Sequence, residues 1–259
     1  MTQLEFDEAT SRLMEEFNVS AGATMRRKWL LDVLALKLGE HVLDVGPGPG
    51  HYAFEMSSAV GGTGRVAGVD SAKDSIETAQ RRCAGLANVG FHPGDAADLP
   101  FNEAAFDAVL STQTFEYLPD VGAALAEVFR VLKPGGRVLI HDTEWDAWVW
   151  HSSDRARMHR IMGVWDNHLA DPHVPQTLGP KLAAAGFTDV GVEPLVHVET
   201  TYDPASMSAI LTKFVAGYVT SQGIPDREAT AWADDLRALG SSGDYFFSSN
   251  EYIFTSTKP

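Results

Sequence analysis

Residues 41–50 read His-Val-Leu-Asp-Val-Gly-Pro-Gly-Pro-Gly, and this stretch decides the fold. Its apolar first half predicts a short buried strand. A glycine-rich turn follows at once, and a helical pattern begins at His51. A strand, a glycine turn and a helix in this order bring backbone N–H groups close to a bound nucleotide. Because proline has no N–H, we expect the donors of this turn to be residues such as Gly48 and Gly50.

The spacing of the glycines distinguishes two nucleotide-binding patterns. The dinucleotide fingerprint Gly-x-Gly-x-x-Gly would need a third glycine at position 51, where this chain has His51. The chain instead reads Asp-x-Gly-x-Gly-x-Gly from Asp44 to Gly50. The other interpretation of this stretch is a glycine loop that holds no ligand.

A carboxylate stands at the end of the second predicted strand. Asp70 follows the glycines by about 20 residues, and a carboxylate placed there can accept hydrogen bonds from both hydroxyls of a ribose. Asp70 could instead cap the helix that follows. We favour the ribose, because Ser71 or Asp74 could serve as the cap. Nicotinamide enzymes use the same device, so Asp70 indicates a nucleoside ligand without identifying it.

The composition excludes several classes of protein. The formal net charge of -15 argues against nucleic acid as a partner, since phosphate binding needs clustered Lys and Arg. The single cysteine, Cys83, excludes an internal disulfide and fits a reducing compartment. No apolar run reaches the roughly 18 residues of a membrane span, and the first residues lack a signal-peptide pattern. We therefore expect a cytoplasmic protein.

Strand-like and helical segments alternate along the first half of the chain. The predicted strands cover residues 42–45, 65–69, 89–92, 106–110 and 137–142. Helical patterns lie between them, and apolar residues recur at helical spacing over residues 121–132. This alternation predicts an α/β fold with a doubly wound parallel sheet. Residues 188–199 and 249–257 supply two more strand-like runs.

Three stretches resemble class I S-adenosylmethionine-dependent methyltransferases. They are the turn from Asp44 to Gly50, the run Gly94-Asp-Ala-Ala-Asp-Leu-Pro-Phe101, and Arg130-Val-Leu-Lys-Pro-Gly-Gly136. Within this superfamily the chain is most similar to the ubiquinone/menaquinone-biosynthesis-like group of small-molecule methyltransferases. The resemblance covers residues 25–145 strongly and 175–259 only by architecture. It implies a Rossmann-like sheet of seven strands, the last of them antiparallel.

The resemblance also implies a cofactor, S-adenosylmethionine, and the residues that bind it. The carboxylate of Asp95 would accept the adenine amino group, and the backbone N–H of Ala96 would reach a ring nitrogen. The full set of expected cofactor contacts is Asp44, Gly46, Gly48, Gly50, Asp70, Asp95, Ala96 and Thr112.

Segments outside the minimal fold predict a helical cap on a single domain, residues 1–259. The cap elements cover about residues 1–24, 145–175 and 203–245. The cofactor-binding core covers about residues 25–145. The cap carries many aromatic side chains, and most of these are expected to form its own core. Trp145 follows the fifth strand, at the edge where open α/β sheets bind ligands. We expect Trp145 and Phe115 to contact the methyl acceptor.

Three residues are candidates for the catalytic group. His141 lies near the end of the fifth strand beside Asp142, which could hold it as a base, although a buried core histidine is the commoner case. Tyr117 and Glu144 are the rival candidates. His168, Asp171 and His173 have the side chains of a metal site but lack a fourth ligand by spacing, so we expect no metal.

Together these patterns predict an enzyme that transfers a methyl group from S-adenosylmethionine to a small, hydrophobic or aromatic metabolite by in-line displacement. The acceptor atom could be oxygen, carbon or nitrogen. The alternatives are a nicotinamide-dependent oxidoreductase and a catalytically silent protein that binds S-adenosylmethionine. We expect a monomer or a homodimer that acts on a small-molecule substrate, with no nucleic-acid partner and no membrane span.

Overall fold

The computed structural model describes residues 8–259, with side chains from residue 12 onward. The start of the expected cap, residues 1–7, lies outside this range. The helices are α1 (Glu8–Val19), α2 (Ala21–Leu34), α3 (His51–Val60), α4 (Lys73–Arg82), α5 (Val121–Val131), α6 (Arg155–Trp165), α7 (Val174–Ala184), α8 (Met207–Ser221) and α9 (Asp226–Ser242). The strands are β1 (His41–Val45), β2 (Arg65–Asp70), β3 (Val89–Pro93), β4 (Phe106–Thr112), β5 (Leu132–Thr143), β6 (Val149–Trp150), β7 (Thr188–Glu199) and β8 (Phe247–Thr257).

The described chain divides into two compact units. We call residues 27–143, 173–195 and 251–259 the sheet unit. We call residues 8–26, 144–172 and 196–250 the helical unit. The predicted cap segments fall largely within the helical unit, and their role as a cap stays a prediction.

The sheet unit is a doubly wound sheet with the order β3-β2-β1-β4-β5-β8, in which β7 also pairs with β8. The first five strands are parallel to one another, and β8 is antiparallel to β5. The order reverses direction between β1 and β4, so the carboxyl ends of these two strands border the crevice in which such sheets bind ligands. The expected fold class and the antiparallel last strand are confirmed.

Both faces of this sheet are covered, which explains the unbroken apolar runs in the sequence. Successive side chains of a strand point to opposite faces. On one face Leu43 and Val109 pack with α5 and α7. On the other face Val42 and Leu110 pack with α2 and α3. Helix α5 begins at a cap made by Asp120, whose carboxylate accepts a hydrogen bond from the Ala123 backbone N–H at 2.9 Å.

The helical unit packs α1, α6 and α9 around α8 and holds the two-residue strand β6. Strand β6 pairs with the beginning of β8, Val149 with Ser248 and Trp150 with Phe247. This eighth strand was not expected, because two residues carry no periodic pattern. Trp232 is fully buried in this unit, and its indole N–H donates to the Met158 sulfur at 3.0 Å.

One other boundary differs from expectation. Strand β5 begins at Leu132 rather than near residue 137, because the segment Lys-Pro-Gly-Gly continues the strand after a register shift against β4. Residues 203–245 form α8 and α9, as their pattern predicts. None of the helices among residues 8–259 has both the length and the apolar character required to cross a membrane.

Candidate functional site

The glycine turn after β1 is built from left-handed backbone. Gly46, Gly48 and Gly50 have φ values of 76°, 50° and 82°, which side chains rarely allow. A Cβ on Gly46 would overlap the Thr114 side chain, so this glycine lets the turn approach the loop after β4. A Cβ on Gly48 would meet no atom within 4 Å. Gly48 therefore leaves open space beside the turn, which a ligand could fill.

The N–H groups of this turn are bonded within the protein. The Gly48 N–H donates to the Asp70 carboxylate at 3.1 Å, and the Gly50 N–H donates to the Pro47 carbonyl at 2.9 Å. Asp70 lies at the end of the neighbouring strand β2, close enough to accept from the turn. The role of Gly48 and Gly50 as donors to a ligand stays a prediction. Their left-handed backbone gives the turn its shape.

Two carboxylates lie beside the turn in different environments. Asp44, on β1, is fully buried, and neither of its oxygens has a hydrogen-bond partner among the residues described. Burial and the neighbouring charge of Asp70 raise the pKa of Asp44 to about 8. Asp70 accepts hydrogen bonds from Gly48 and from the Ala72 N–H at 2.9 Å, and burial outweighs these bonds and raises its pKa. The cap position of α4 is Ala72 rather than Asp70.

The loop after β3 carries the expected adenine contacts. Asp95 is exposed, its Oδ1 accepts from the Ala97 N–H at 2.9 Å, and Ala96 is 9% exposed. Farther along this loop, Arg130 donates to the Phe101 carbonyl at 2.7 Å, which ties the loop to α5. Glu127, the ion-pair partner of Arg130, also accepts from the Leu99 N–H.

The segment after β4 contains a strained residue that the sequence did not indicate. Gln113 follows Thr112 and has a φ of 51°, in the left-handed region. Its N–H donates to the His141 carbonyl at 2.7 Å, and its side-chain oxygen accepts from the Thr143 hydroxyl at 2.9 Å. The side-chain nitrogen is buried without a partner among the described residues. Strain and an unused donor at the edge of the central strands are typical of ligand sites.

Of the catalytic candidates in the sheet unit, His141 is buried and Tyr117 is half-buried. His141 is fully buried, and its Nε2 lies 2.7 Å from Glu251 on β8. The idea that Asp142 holds His141 is therefore wrong, since adjacent strand residues point to opposite faces. Burial, followed by the charges of Glu116 and Asp142, raises the pKa of Tyr117 well above its usual range. Tyr117 thus keeps its proton at neutral pH and is a poor base.

Glu116 and Asp142 form a buried carboxyl pair that sequence reasoning missed. Both side chains are almost completely buried. Asp142 accepts from the Thr114 N–H at 3.0 Å, while burial and the charge of Glu116 raise its pKa well above its usual range. A carboxylate directly after β4 and another at the end of β5 were visible in the sequence, but nothing there showed that they are buried.

The candidates of the acceptor site are also well packed. Phe115 is fully buried in the core of the sheet unit. Trp145, in the helical unit, is 6% exposed and stacks on Trp148 at 4.3 Å between ring centres. Glu144 precedes it and is also buried. His168 contacts the Trp145 ring edge-on at 5.3 Å, and burial lowers the pKa of His168 to about 4. The roles of Phe115, Trp145 and Glu144 toward an acceptor stay predictions.

Comparison with known proteins identifies relatives of this chain. A family model described as "Methyltransferase domain" matches residues 36–178. An uncharacterized 37.1 kDa protein of a transposon from Streptomyces fradiae is 28% identical over 93% of this chain and 69% of its own length. A demethylmenaquinone methyltransferase from Staphylococcus aureus is 38% identical over 45% of this chain, and the match spans 48% of that protein.

Solved structures share the fold. A phosphoethanolamine N-methyltransferase from Haemonchus contortus, solved with S-adenosyl-L-methionine, is 21% identical and has a TM-score of 0.66. The match covers 99% of this chain and 58% of that one. A methyltransferase structure from Bacillus halodurans is 19% identical, has a TM-score of 0.65, and covers 91% of this chain and 99% of that one. With the glycine turn, Asp44 and Asp70 in place, this chain belongs to the class I S-adenosylmethionine-dependent methyltransferases.

Proposed function

We propose that this enzyme transfers the methyl group of S-adenosylmethionine to a small hydrophobic or aromatic acceptor. The observation that carries the proposal is the pairing of Asp44, a buried carboxyl without a hydrogen-bond partner among the described residues, with the open space beside Gly48. Both lie at the crevice where the order of the sheet reverses. A cationic nucleoside ligand fits both features. Its positive charge can pair with the carboxyl of Asp44, and other atoms of the ligand can occupy the space beside Gly48.

The residues present suit each part of the cofactor. Asp70 would bind the ribose hydroxyls, because its carboxylate ends β2 beside the glycine turn. Asp44 would pair with the ammonium group. Asp95 and the Ala96 N–H would read the adenine edge as an acceptor and a donor. Once bound, the cofactor supplies an electrophilic methyl group on its sulfonium, and the protein supplies orientation and exclusion of water.

The acceptor side of the proposal is supported by the burial of the surrounding groups. Tyr117 is held protonated, and Gln113 offers a side-chain N–H without a partner among the described residues. A donor of this kind can orient an oxygen of the acceptor. The match to a demethylmenaquinone methyltransferase favours an aromatic acceptor, whereas the phosphoethanolamine enzyme would favour an amine.

The test is an acceptor panel with a binding experiment beside it. Calorimetric titration should show S-adenosylmethionine and S-adenosylhomocysteine binding to the wild type, with binding lost in Asp70→Ala, and no binding of NADH. The panel then follows the formation of S-adenosylhomocysteine with 1,4-dihydroxynaphthalene, phosphoethanolamine and sarcosine. We expect turnover with the dihydroxynaphthalene. Binding of NADH instead of S-adenosylmethionine would move the oxidoreductase alternative ahead. Turnover only with an amine would replace the aromatic acceptor class.

A further inference from the structure

Asp44 is placed in a way that the cofactor contact alone does not explain. It lies within β1, between the buried apolar residues Leu43 and Val45, and it is fully buried. Neither carboxyl oxygen has a hydrogen-bond partner among the described residues. An ionised carboxylate in such a place is removed from bulk water and has no donor among the described residues, and this is a costly state for a buried charge.

The titratable groups on the elements around β1 do not supply a compensating positive charge at Asp44. Asp70 on β2 acts on it with a like charge. Cys83, at the end of α4, is itself affected by the charge of Asp44 and by Arg82, whose guanidinium donates to the Pro49 carbonyl at 2.8 Å. His51 is the first residue of α3, and it is 8% exposed. On the neighbouring strand β4, the Ser111 hydroxyl donates to the Val45 carbonyl of β1 at 2.9 Å.

We propose that Asp44 is a neutral carboxylic acid in the free enzyme, and that it loses its proton when the ammonium end of S-adenosylmethionine binds. The O–H bond of the carboxyl breaks, the proton passes to the solvent, and the carboxylate that remains pairs with the ammonium group. No electron is transferred, and charge is balanced by the released proton. This inference rests on the proposed function, because it assigns the ammonium group to Asp44.

The direction of the pKa change supports this sequence of events. Burial and Asp70 hold the pKa of Asp44 near 8 in the free protein. An opposite charge placed beside a carboxylate lowers its pKa, so the bound cofactor reverses the effect of burial. The affinity for S-adenosylmethionine should therefore rise with pH between about 6 and 7.5, by up to about tenfold per pH unit.

The experiment counts protons during calorimetric titration at pH 6.5. S-adenosylmethionine is titrated into the enzyme in two or more buffers with different ionisation enthalpies, and the slope of the observed enthalpy gives the number of protons released. The expected value for the wild type is close to one. The probe 5′-methylthioadenosine shares the nucleoside but has no ammonium group, so its binding should release almost none.

Two variants make the assignment specific. Asp44→Asn keeps the shape of the side chain and removes its proton, so it should bind more weakly, release almost no proton, and lose the pH dependence of affinity. Asp95→Asn is the matched control, since it alters another expected cofactor contact that is exposed. It should bind more weakly but still release close to one proton.

The failure of this inference is distinguishable from the failure of the proposed function. If S-adenosylmethionine does not bind the wild type, the proposed function itself is overturned. If it binds without proton release, or if Asp44→Asn releases the same number of protons, the cofactor site stands and the role of Asp44 as the proton source is refuted. Equal release with 5′-methylthioadenosine would also refute it.

Discussion

Gly46 and Gly48 form a matched pair in which one substitution should mainly affect folding and the other mainly binding. Both residues have left-handed backbone, with φ values of 76° and 50°. A Cβ added to Gly46 would overlap the side chain of Thr114. A Cβ added to Gly48 would meet no atom within 4 Å. The two alanine variants therefore share the backbone effect and differ in the contact.

The expected magnitudes follow from these two terms. Left-handed backbone costs a residue with a Cβ about 1–2 kcal/mol, and the stiffer unfolded chain returns about 0.4–1 kcal/mol. Gly48→Ala should thus lower the free energy of unfolding by about 1 kcal/mol. Gly46→Ala adds overpacking against Thr114, which typically costs about 1–3 kcal/mol more. Its total loss should be about 2–4 kcal/mol.

Urea denaturation of the ligand-free protein measures these losses, and calorimetric titration measures binding. We expect Gly48→Ala to remain folded and to bind S-adenosylmethionine at least tenfold more weakly, since its Cβ enters the open space beside the turn. We expect Gly46→Ala to change the free energy of unfolding more than it changes the affinity for S-adenosylmethionine.

A second-site variant tests the cause of the larger loss. The three atoms nearest the added Cβ of Gly46 all belong to the Thr114 side chain. In a Thr114→Gly background, Gly46→Ala should therefore cost only the backbone term, about 1 kcal/mol. The reasoning is refuted if Gly46→Ala is no more destabilising than Gly48→Ala, or if the Thr114→Gly background leaves its cost unchanged.

Three further outcomes are expected. The folded state holds a proton on Asp44 up to a pH of about 8, whereas the unfolded chain releases it near 3.8. The unfolding free energy of the wild type should therefore fall relative to that of Asp44→Asn as pH rises from 4 to 8, by about 5 kcal/mol in urea titrations; parallel curves would contradict this. Arg130→Met frees the carbonyls of Leu99 and Phe101, so affinity for S-adenosylmethionine in calorimetry should fall several-fold, and unchanged affinity would count against a positioning role. Ala35→Gly, at a φ of 51° after α2, should stabilise the protein by about 0.5–1 kcal/mol in urea denaturation, and a destabilised variant would disprove the strain.

Local pattern was enough to predict the sheet unit. Val42 and Leu43 are adjacent apolar residues because both faces of β1 are covered, and that requirement shapes the sequence directly. The glycines of the turn mark the left-handed positions after β1. Asp70 stands at a strand end that the same pattern identifies. These features depend on neighbours in the sequence, so they are visible without the structure.

The parts that could not be predicted depend on distant residues. His141 has its partner on β8, 110 residues later in the chain, and no local rule selects Glu251 over the adjacent Asp142. The capture of the Gly48 N–H by Asp70 depends on the distance between two strand ends. The left-handed backbone of Gln113 could not be predicted either, since glutamine gives no sequence signal for that conformation.

The position of β8 in the sheet sets an order for folding. Strand β5 has β4 on one side and residues 251–257 on the other, so its second edge is completed by a segment far away in the chain. The contact between His141 and Glu251 closes a loop of 110 residues. It can form only when β8 docks against β5. Long-range pairings of this kind slow folding, because the loop entropy is lost before the contact is gained. The docking of β8 is therefore the step at which we expect the sheet unit to become cooperative.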